Sequence, residues 1–199
     1  LFKLDFKKIY KIICKSFPVL LSIVSVVIYM RIDQVMINLL LSENDVGIYS
    51  VSVRIVEMFH FIPKIIMVSY LPILLISKNY NFELIKINSL LFKLSILVIF
   101  FIIILSKYIT PILFGEIYTE SVLTTILLSL SLIFVFIGVV NEHWYISKNL
   151  QKYYALNVFI GAITNIILNY FLIASFGISG AAYSTILTYL FIIFLFDIF

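Results

Sequence analysis

The chain has 199 residues, of which 63% are hydrophobic and only 12% are charged, and its mean hydropathy is +1.18. So few polar side chains cannot cover the surface of a water-soluble domain, and the composition therefore indicates a membrane protein. The net charge of +4 comes from lysines that flank the apolar segments, so we do not expect nucleic acid to be a partner.

Six apolar segments of about 20 residues follow one another along the chain, and this is the length at which a helix crosses a bilayer. We place them at residues 18–41, 47–74, 88–106, 121–140, 155–174 and 178–196. Runs such as Leu94–Leu105 are apolar on every face, which excludes transmembrane β-strands. The predicted fold is all-α, a polytopic membrane bundle of six transmembrane helices that occupies residues 1–199.

Lysines predict the orientation of this bundle, because short cytoplasmic loops retain positive charge. Ten lysines lie on one side of the predicted bundle. They precede the first span, lie between spans two and three, or lie between spans four and five: Lys3, Lys7, Lys8, Lys11, Lys15, Lys78, Lys86, Lys93, Lys148 and Lys152. Lys107 alone lies on the opposite side. We therefore expect both termini to face the cytoplasm.

Charged residues within the first span are the first chemical signal. Arg31, Gln34 and Asn38 share one helical face, whereas Asp33 points about 200° away. A charge at the centre of a bilayer costs at least about 2.5–3.5 kcal/mol, so each charged residue needs a partner or an aqueous cavity.

The second span carries a longer polar stripe. On one continuous helix, Arg54, Glu57, His60 and Lys64 lie on the same face. Pro63 and Pro72 are expected to kink this helix, because each removes a backbone donor and crowds the preceding turn.

An antiparallel hairpin of spans one and two, turning near Asn44, places Arg31 level with Glu57. We predict that these two residues form an ion pair, and that Arg54 and Lys64 face a cavity. Two interpretations remain open: the charges hold the helices together, or the net positive face binds an anion such as phosphate. His60 is similarly either a proton carrier or a hydrogen-bonding partner of another helix.

Small and amide residues form stripes on the last two spans. Gly161, Asn165 and Asn169 recur every four residues on span five, and Gly177, Ala181, Ser184 and Thr188 nearly do so on span six. Such stripes let membrane helices approach closely and hydrogen-bond, so we interpret them as packing signals.

Several motifs together resemble a known family. They are RIDQVMINLLL at 31–41, VGIYS at 46–50, RIVE at 54–57, FGEIY at 114–118, GAITNIILN at 161–169 and FGISGAA at 176–182. In this order they resemble the O-antigen and capsule repeat-unit flippases of the multidrug/oligosaccharidyl-lipid/polysaccharide exporter superfamily. The last two motifs are shared with multidrug exporters and lipid II flippases of that superfamily.

The resemblance implies a transporter of about twelve helices in two six-helix lobes, located in the bacterial cytoplasmic (inner) membrane. This chain, which begins at Leu1, would be the C-terminal lobe, and the N-terminal lobe would be missing. The cargo would be an undecaprenyl-pyrophosphate-linked oligosaccharide, moved from the inner to the outer leaflet by alternating access. Membrane lipids, the missing lobe and the polysaccharide polymerase machinery would be its partners.

The resemblance also implies roles for residues. Arg31, Arg54, Lys64, Gln34 and Asn38 would bind the cargo. Glu57, Asp33 and His60 would couple transport to an ion. No bond is made or broken in such transport, so we expect no catalytic residue, metal or cofactor, and no enzyme activity.

Two alternatives fit the sequence less well. A drug or cation exporter on the same fold would be expected to place uncompensated acids in its cavity, whereas cations outnumber acids in spans one and two. A membrane enzyme of glycan assembly would need catalytic groups, but the sequence has no large outer loop and no acidic pair with metal-ligand spacing.

Overall fold

The computed structural model describes residues 6–196, and every regular element within this range is helical. The α-helices are α1 (Phe6–Leu40), α2 (Glu43–Glu57), α3 (Phe61–Ile76), α4 (Tyr80–Phe114), α5 (Ser121–Ser129), α6 (Leu132–Ser147), α7 (Gln151–Phe176) and α8 (Ile178–Phe196), with a 3₁₀ turn at Glu116–Tyr118. Lys3, and the side chains of Lys8, Lys11, Cys14 and Lys15, lie outside what the structure describes.

Five helical segments are long and apolar enough to span a membrane: Leu20–Leu40, Glu43–Ile76, Tyr80–Phe114, Ser121–Ser147 and Gln151–Phe176. The sixth predicted span corresponds to a shorter apolar helix, Ile178–Phe194. Large apolar side chains such as Phe100 (58% exposed) and Phe171 (62%) cover the outside. This apolar exterior suits lipid rather than water, so the all-α, polytopic membrane fold is confirmed at this level.

Helix ends differ from the predicted span ends. At about 1.5 Å per residue, the 35 residues of α1 and of α4 extend for about 52 Å, beyond the roughly 30 Å hydrocarbon layer. Lys86, Lys93 and Lys107, which we had assigned to loops, therefore lie within α4. Hydropathy marks where a helix leaves lipid, whereas the helix itself continues until a residue interrupts its hydrogen bonds. The cytoplasmic orientation of the termini stays a prediction.

The first hairpin turns earlier than predicted. It turns at residues 41–42 rather than near Asn44, because Ser42 caps α2: its hydroxyl accepts a hydrogen bond from the amide N–H of Asp45 at 3.2 Å. Glu43 and Asp45 in the first turn also complement the helix dipole.

Two predicted spans are each interrupted near their middle. The second breaks at residues 58–60, where the amides of Phe59, His60 and Ile62 bond three residues back. Pro63 has no amide hydrogen to continue the ladder, so the expected kink at this proline is confirmed as a break. The helix α3 continues through Pro72. Span two is therefore two helices rather than the one continuous helix assumed for its polar face, and Glu57 and His60 are partly buried whereas Arg54 and Lys64 are exposed.

The fourth span breaks at residues 130–131, which the sequence analysis did not predict. The hydroxyls of Ser129 and Ser131 donate to the carbonyls of Ile126 and Leu128, both at 2.7 Å. Serine side chains that bond to the preceding turn compete with the backbone ladder, and this competition favours a bend without proline or glycine.

The helices pack so that α1 lies along α7, and α7 along α8. The helix α2 packs on α1 and α5, and α4 packs on α5 and α6. An edge-to-face contact between Tyr29 and Tyr189, with ring centroids 5.2 Å apart, joins α1 to α8. Elements far apart in sequence therefore surround the middle of α1.

The turn between α7 and α8 depends on two glycines. Gly177 has a positive φ of 59°, which other residues rarely adopt. A Cβ added to Gly180 would lie 2.0 Å from the backbone oxygen of Leu172, so the two helices meet there backbone to backbone. The predicted close packing of spans five and six is thereby confirmed at this end.

We predict that Gly180→Ala destabilises the protein by about 1–3 kcal/mol or more, because backbone rather than a side chain must move to admit the methyl group. Gly138→Ala is the matched control, since a Cβ at that position in α6 meets nothing within 4 Å. Thermal unfolding of the purified protein in detergent measures both. Equal melting temperatures for the two variants would contradict the close contact.

Candidate functional site

The candidate site is built around the carboxylate of Asp33, which is only 5% exposed in the middle of the bundle. Three helices supply its hydrogen bonds. Its Oδ2 accepts from the Tyr49 hydroxyl of α2 at 2.7 Å and from the Thr185 hydroxyl of α8 at 2.9 Å. Its Oδ1 accepts from Nδ2 of Asn169 on α7 at 2.6 Å. Three donors thus compensate the burial of one carboxylate.

The amide stripe of α7 continues this network toward α8. Asn165 accepts from Nδ2 of Asn169 at 3.0 Å and donates to the hydroxyls of Ser184 and Thr188 at 3.3 and 3.4 Å. The two small-residue stripes predicted from the sequence therefore do face each other. One member of these stripes, Asn169, also donates to Asp33, and the interpretation as packing signals missed this bond.

One oxygen of the network lacks a hydrogen-bond partner among the described residues, and one hydroxyl proton is shared between two acceptors. Oδ1 of Asn169 is buried and has no hydrogen-bond partner among the described residues. The single hydroxyl proton of Thr185 has two acceptors, Oδ2 of Asp33 and the backbone oxygen of Ala181 at 3.0 Å. The site is therefore rich in oxygen atoms relative to its donors.

A cavity of about 40 Å³ adjoins Asp33, large enough for roughly two or three water molecules. Its polar lining includes Asp33, Tyr49, Glu57, His60, Ser131 and Thr185. Both helix breaks contribute to this lining. Glu57 directly precedes the first break and His60 lies in it, whereas Ser131 lies in the second. The three residues predicted to couple an ion, Glu57, Asp33 and His60, are thus brought together around one cavity.

His60 lies at the break between α2 and α3, and its Nε2 is buried without a hydrogen-bond partner among the described residues. The expected alternative, a bond to a neighbouring helix, is not formed through this nitrogen. A buried ring nitrogen beside a cavity is free to bond to water or to a group that enters the cavity.

The predicted ion pair between Arg31 and Glu57 is confirmed. Nη2 of Arg31 donates to Oε2 of Glu57 at 3.4 Å, and the two side chains are 54% and 24% exposed. Asp33 does not pair with Arg54 but lies in the buried network described above. The side chain of Glu57 therefore connects the outer surface with the cavity.

The predicted cargo-binding residues lie outside this cavity. Arg54 and Lys64 are exposed, with no acid within 4 Å among the described side chains. They neighbour exposed apolar residues such as Met58 and Ile65. Gln34 and Asn38 line a separate open groove near the start of α2, together with Glu43 and Val46. Apart from Arg31, which pairs with Glu57, the proposed cargo-binding residues thus lie apart from the proposed ion-coupling ones.

Sequence reasoning missed Tyr49, Thr185 and Asn169 as partners of Asp33. The one available signal was that Asp33 points away from the face of Arg31, which demanded a partner on some other helix. Asn169 follows Asp33 by 136 residues, and only the packing of α1 on α7 brings them together.

Comparison of the chain with family models, with curated proteins and with solved structures gives no match. Membership of the flippase family therefore stays a prediction from the sequence motifs.

We predict that Tyr49→Phe lowers the free energy of unfolding by about 1.5–3 kcal/mol, the usual contribution of a hydrogen bond to a charged group. Tyr170→Phe on the exposed surface of α7 is the matched control and should change it little. Thermal unfolding in detergent measures both variants. Similar small shifts would mean that Tyr49 does not support Asp33.

Proposed function

We propose that this chain is one six-helix lobe of a flippase that moves an anionic, lipid-linked oligosaccharide across the bacterial cytoplasmic membrane, coupled to a monovalent cation at Asp33. The observation that carries the proposal is a buried, hydrogen-bonded carboxylate beside a polar cavity, within a bundle whose surface bears the exposed cations Arg31, Arg54 and Lys64. An ionisable residue inside a membrane bundle is typically functional.

One buried carboxylate carries one negative charge, which a proton or a monovalent cation such as Na⁺ neutralises. The surrounding groups are hard oxygen donors of the kind such cations prefer: a carboxylate, a threonine hydroxyl and an amide. Rotation of the Asn169 amide would turn its unpartnered Oδ1 toward Asp33. Neutralisation of Asp33 would also free the Thr185 hydroxyl to bond to Ala181 alone.

Arg31, Arg54 and Lys64 support an anionic cargo. They are exposed on segments long enough to span the membrane, where contact with acyl chains would cost several kcal/mol per charge. Such residues instead face water or another protein surface. A second transmembrane lobe opposite them, as in the family that the sequence resembles, would create an aqueous, positively charged cavity. Arginine and lysine there suit the pyrophosphate of the lipid carrier.

The size of the cavity beside Asp33 disfavours this cavity as the binding site of a drug exporter. Pockets for drug-sized molecules occupy about 300–1,000 Å³, whereas the cavity that holds Asp33 and Glu57 has about 40 Å³. Its acids are therefore better placed to bind a small cation than an organic one.

In the full-length protein, we predict that Lys64→Ala or Arg54→Ala reduces surface polysaccharide at least about tenfold, since one charge-assisted hydrogen bond contributes about 1.5–3 kcal/mol. Lys64→Arg should retain more activity than Lys64→Ala. Protein abundance in the membrane should remain unchanged, because both side chains are exposed. Lys107→Ala, an exposed lysine of α4, is the control. A parallel fall in abundance and activity would indicate a structural role instead.

The coupling site has its own test in proteoliposomes of the full-length protein, with a fluorescent prenyl pyrophosphate as the transported probe. Asp33→Asn retains the size of the side chain but removes its charge, so we predict that transport no longer responds to an imposed cation gradient. Separate Na⁺ and pH gradients identify the ion. Glu116→Gln, which changes an exposed acid near the end of α4, should leave the response intact. An undiminished response in Asp33→Asn would exclude this site.

A further inference from the structure

Glu57 belongs to two environments at once. Its carboxylate accepts a hydrogen bond from Arg31, which is 54% exposed, and the same residue lines the cavity that adjoins Asp33. Arg31 and Asp33 are two residues apart on α1, but one belongs to the exposed cationic surface and the other to the buried network. Glu57 is therefore the side chain that joins the two.

The bond between Arg31 and Glu57 is weak enough to exchange. It is a single contact of 3.4 Å, and Arg31 is more than half exposed. Exposed ion pairs of this kind contribute at most about 1 kcal/mol. A phosphate group can instead engage two guanidinium nitrogens at shorter distance, so it competes well for the same arginine.

A buried ring nitrogen that has no hydrogen-bond partner among the described residues lines the same cavity as Glu57. His60 follows Glu57 by three residues, lines the same cavity and has a buried Nε2 without a partner among the described residues. The backbone break at 58–60 relaxes the geometry of this turn. A carboxylate released from Arg31 thus has an unsatisfied nitrogen close by in sequence.

We propose that Glu57 is an exchange residue, which an anionic group of the cargo displaces from Arg31 and which then turns toward His60 inside the cavity. This extends the proposed function, on which it rests. The exchange brings a second negative charge into the cavity beside Asp33, and a negative charge there favours the entry of a cation. Cargo binding at the surface and cation binding at Asp33 then strengthen each other, by the same factor in both directions.

Binding of farnesyl pyrophosphate to the full-length protein in detergent, measured by calorimetry, tests the exchange without any transport. Glu57 competes with the probe for Arg31, so Glu57→Gln should bind the probe about two- to fivefold more tightly, as expected for the loss of a pair worth up to about 1 kcal/mol. In an Arg31→Gln background, Glu57→Gln should have no such effect. The exposed Glu116→Gln is the control for a general loss of negative charge.

The Glu57→Asp variant tests whether Glu57 competes with the probe for Arg31 or acts on probe binding only through its charge at a distance. Its shorter side chain keeps the charge but reaches Arg31 less well, so it too should bind the probe more tightly than the native protein. His60→Leu should weaken probe binding, because displaced Glu57 loses its new partner, and it should have no effect in a Glu57→Gln background.

An equal effect of Glu57→Gln with and without Arg31, or unchanged affinity in Glu57→Asp, would overturn the exchange. Failure of the proposed function looks different, because Asp33→Asn would then retain its response to cation gradients whatever the binding data show. If the glutamine variant does not fold, the aspartate variant alone decides the outcome.

Discussion

The structure depends on one buried carboxylate. Burial of the charged Asp33 side chain in the middle of an apolar bundle would be prohibitively unfavourable if the carboxylate had no partners. It accepts hydrogen bonds from α2, α7 and α8. These bonds bring together elements separated by up to 152 residues of sequence. Apolar packing alone would leave the rotation of α1 weakly defined, because many of its faces are equally hydrophobic. The carboxylate specifies which face of α1 points inward, and hence which face presents Arg31 to the outside.

The two helix breaks serve this arrangement by different chemistry. Proline interrupts the α2–α3 pair, whereas serine hydroxyls bend the α5–α6 pair, and both interruptions border the cavity beside Asp33. Irregular backbone is tolerated at membrane depth where it is buried in protein or lines a polar cavity. Glu57 precedes the first interruption and His60 lies within it, and both line the cavity.

Much of the fold could be predicted from residue types because the bilayer imposes a length and a polarity on each span. The apolar segments, the proline break and the pairing of Arg31 with Glu57 all follow from local spacing or from depth within a hairpin. The partners of Asp33 could not be predicted in this way. Asn169 and Thr185 have the appearance of packing residues until α7 and α8 are known to flank α1, and that neighbourhood depends on summed apolar contacts rather than on a motif. The serine bend was missed because other serines of the chain, such as Ser25 and Ser95, donate to a preceding carbonyl within uninterrupted helices. The ends of the helices were not predicted because hydropathy indicates which residues contact lipid. A helix ends instead where its backbone hydrogen bonds stop.

The backbone contact at Gly180 has a mechanical consequence. With Leu172 and Gly180 touching through main-chain atoms, and the side chain of Ile192 filling the space above Gly161, neither end of the α7–α8 pair leaves room for sliding. We therefore expect α7 and α8 to move as one rigid unit, in which Asn169 and Thr185 keep their relative positions. Any rearrangement around the carboxylate must then be taken up on the other side, where α2 meets α3 and α5 meets α6. In the alternating-access cycle proposed above, α7 and α8 would form the rigid part, and the α2–α3 and α5–α6 pairs would form the moving part.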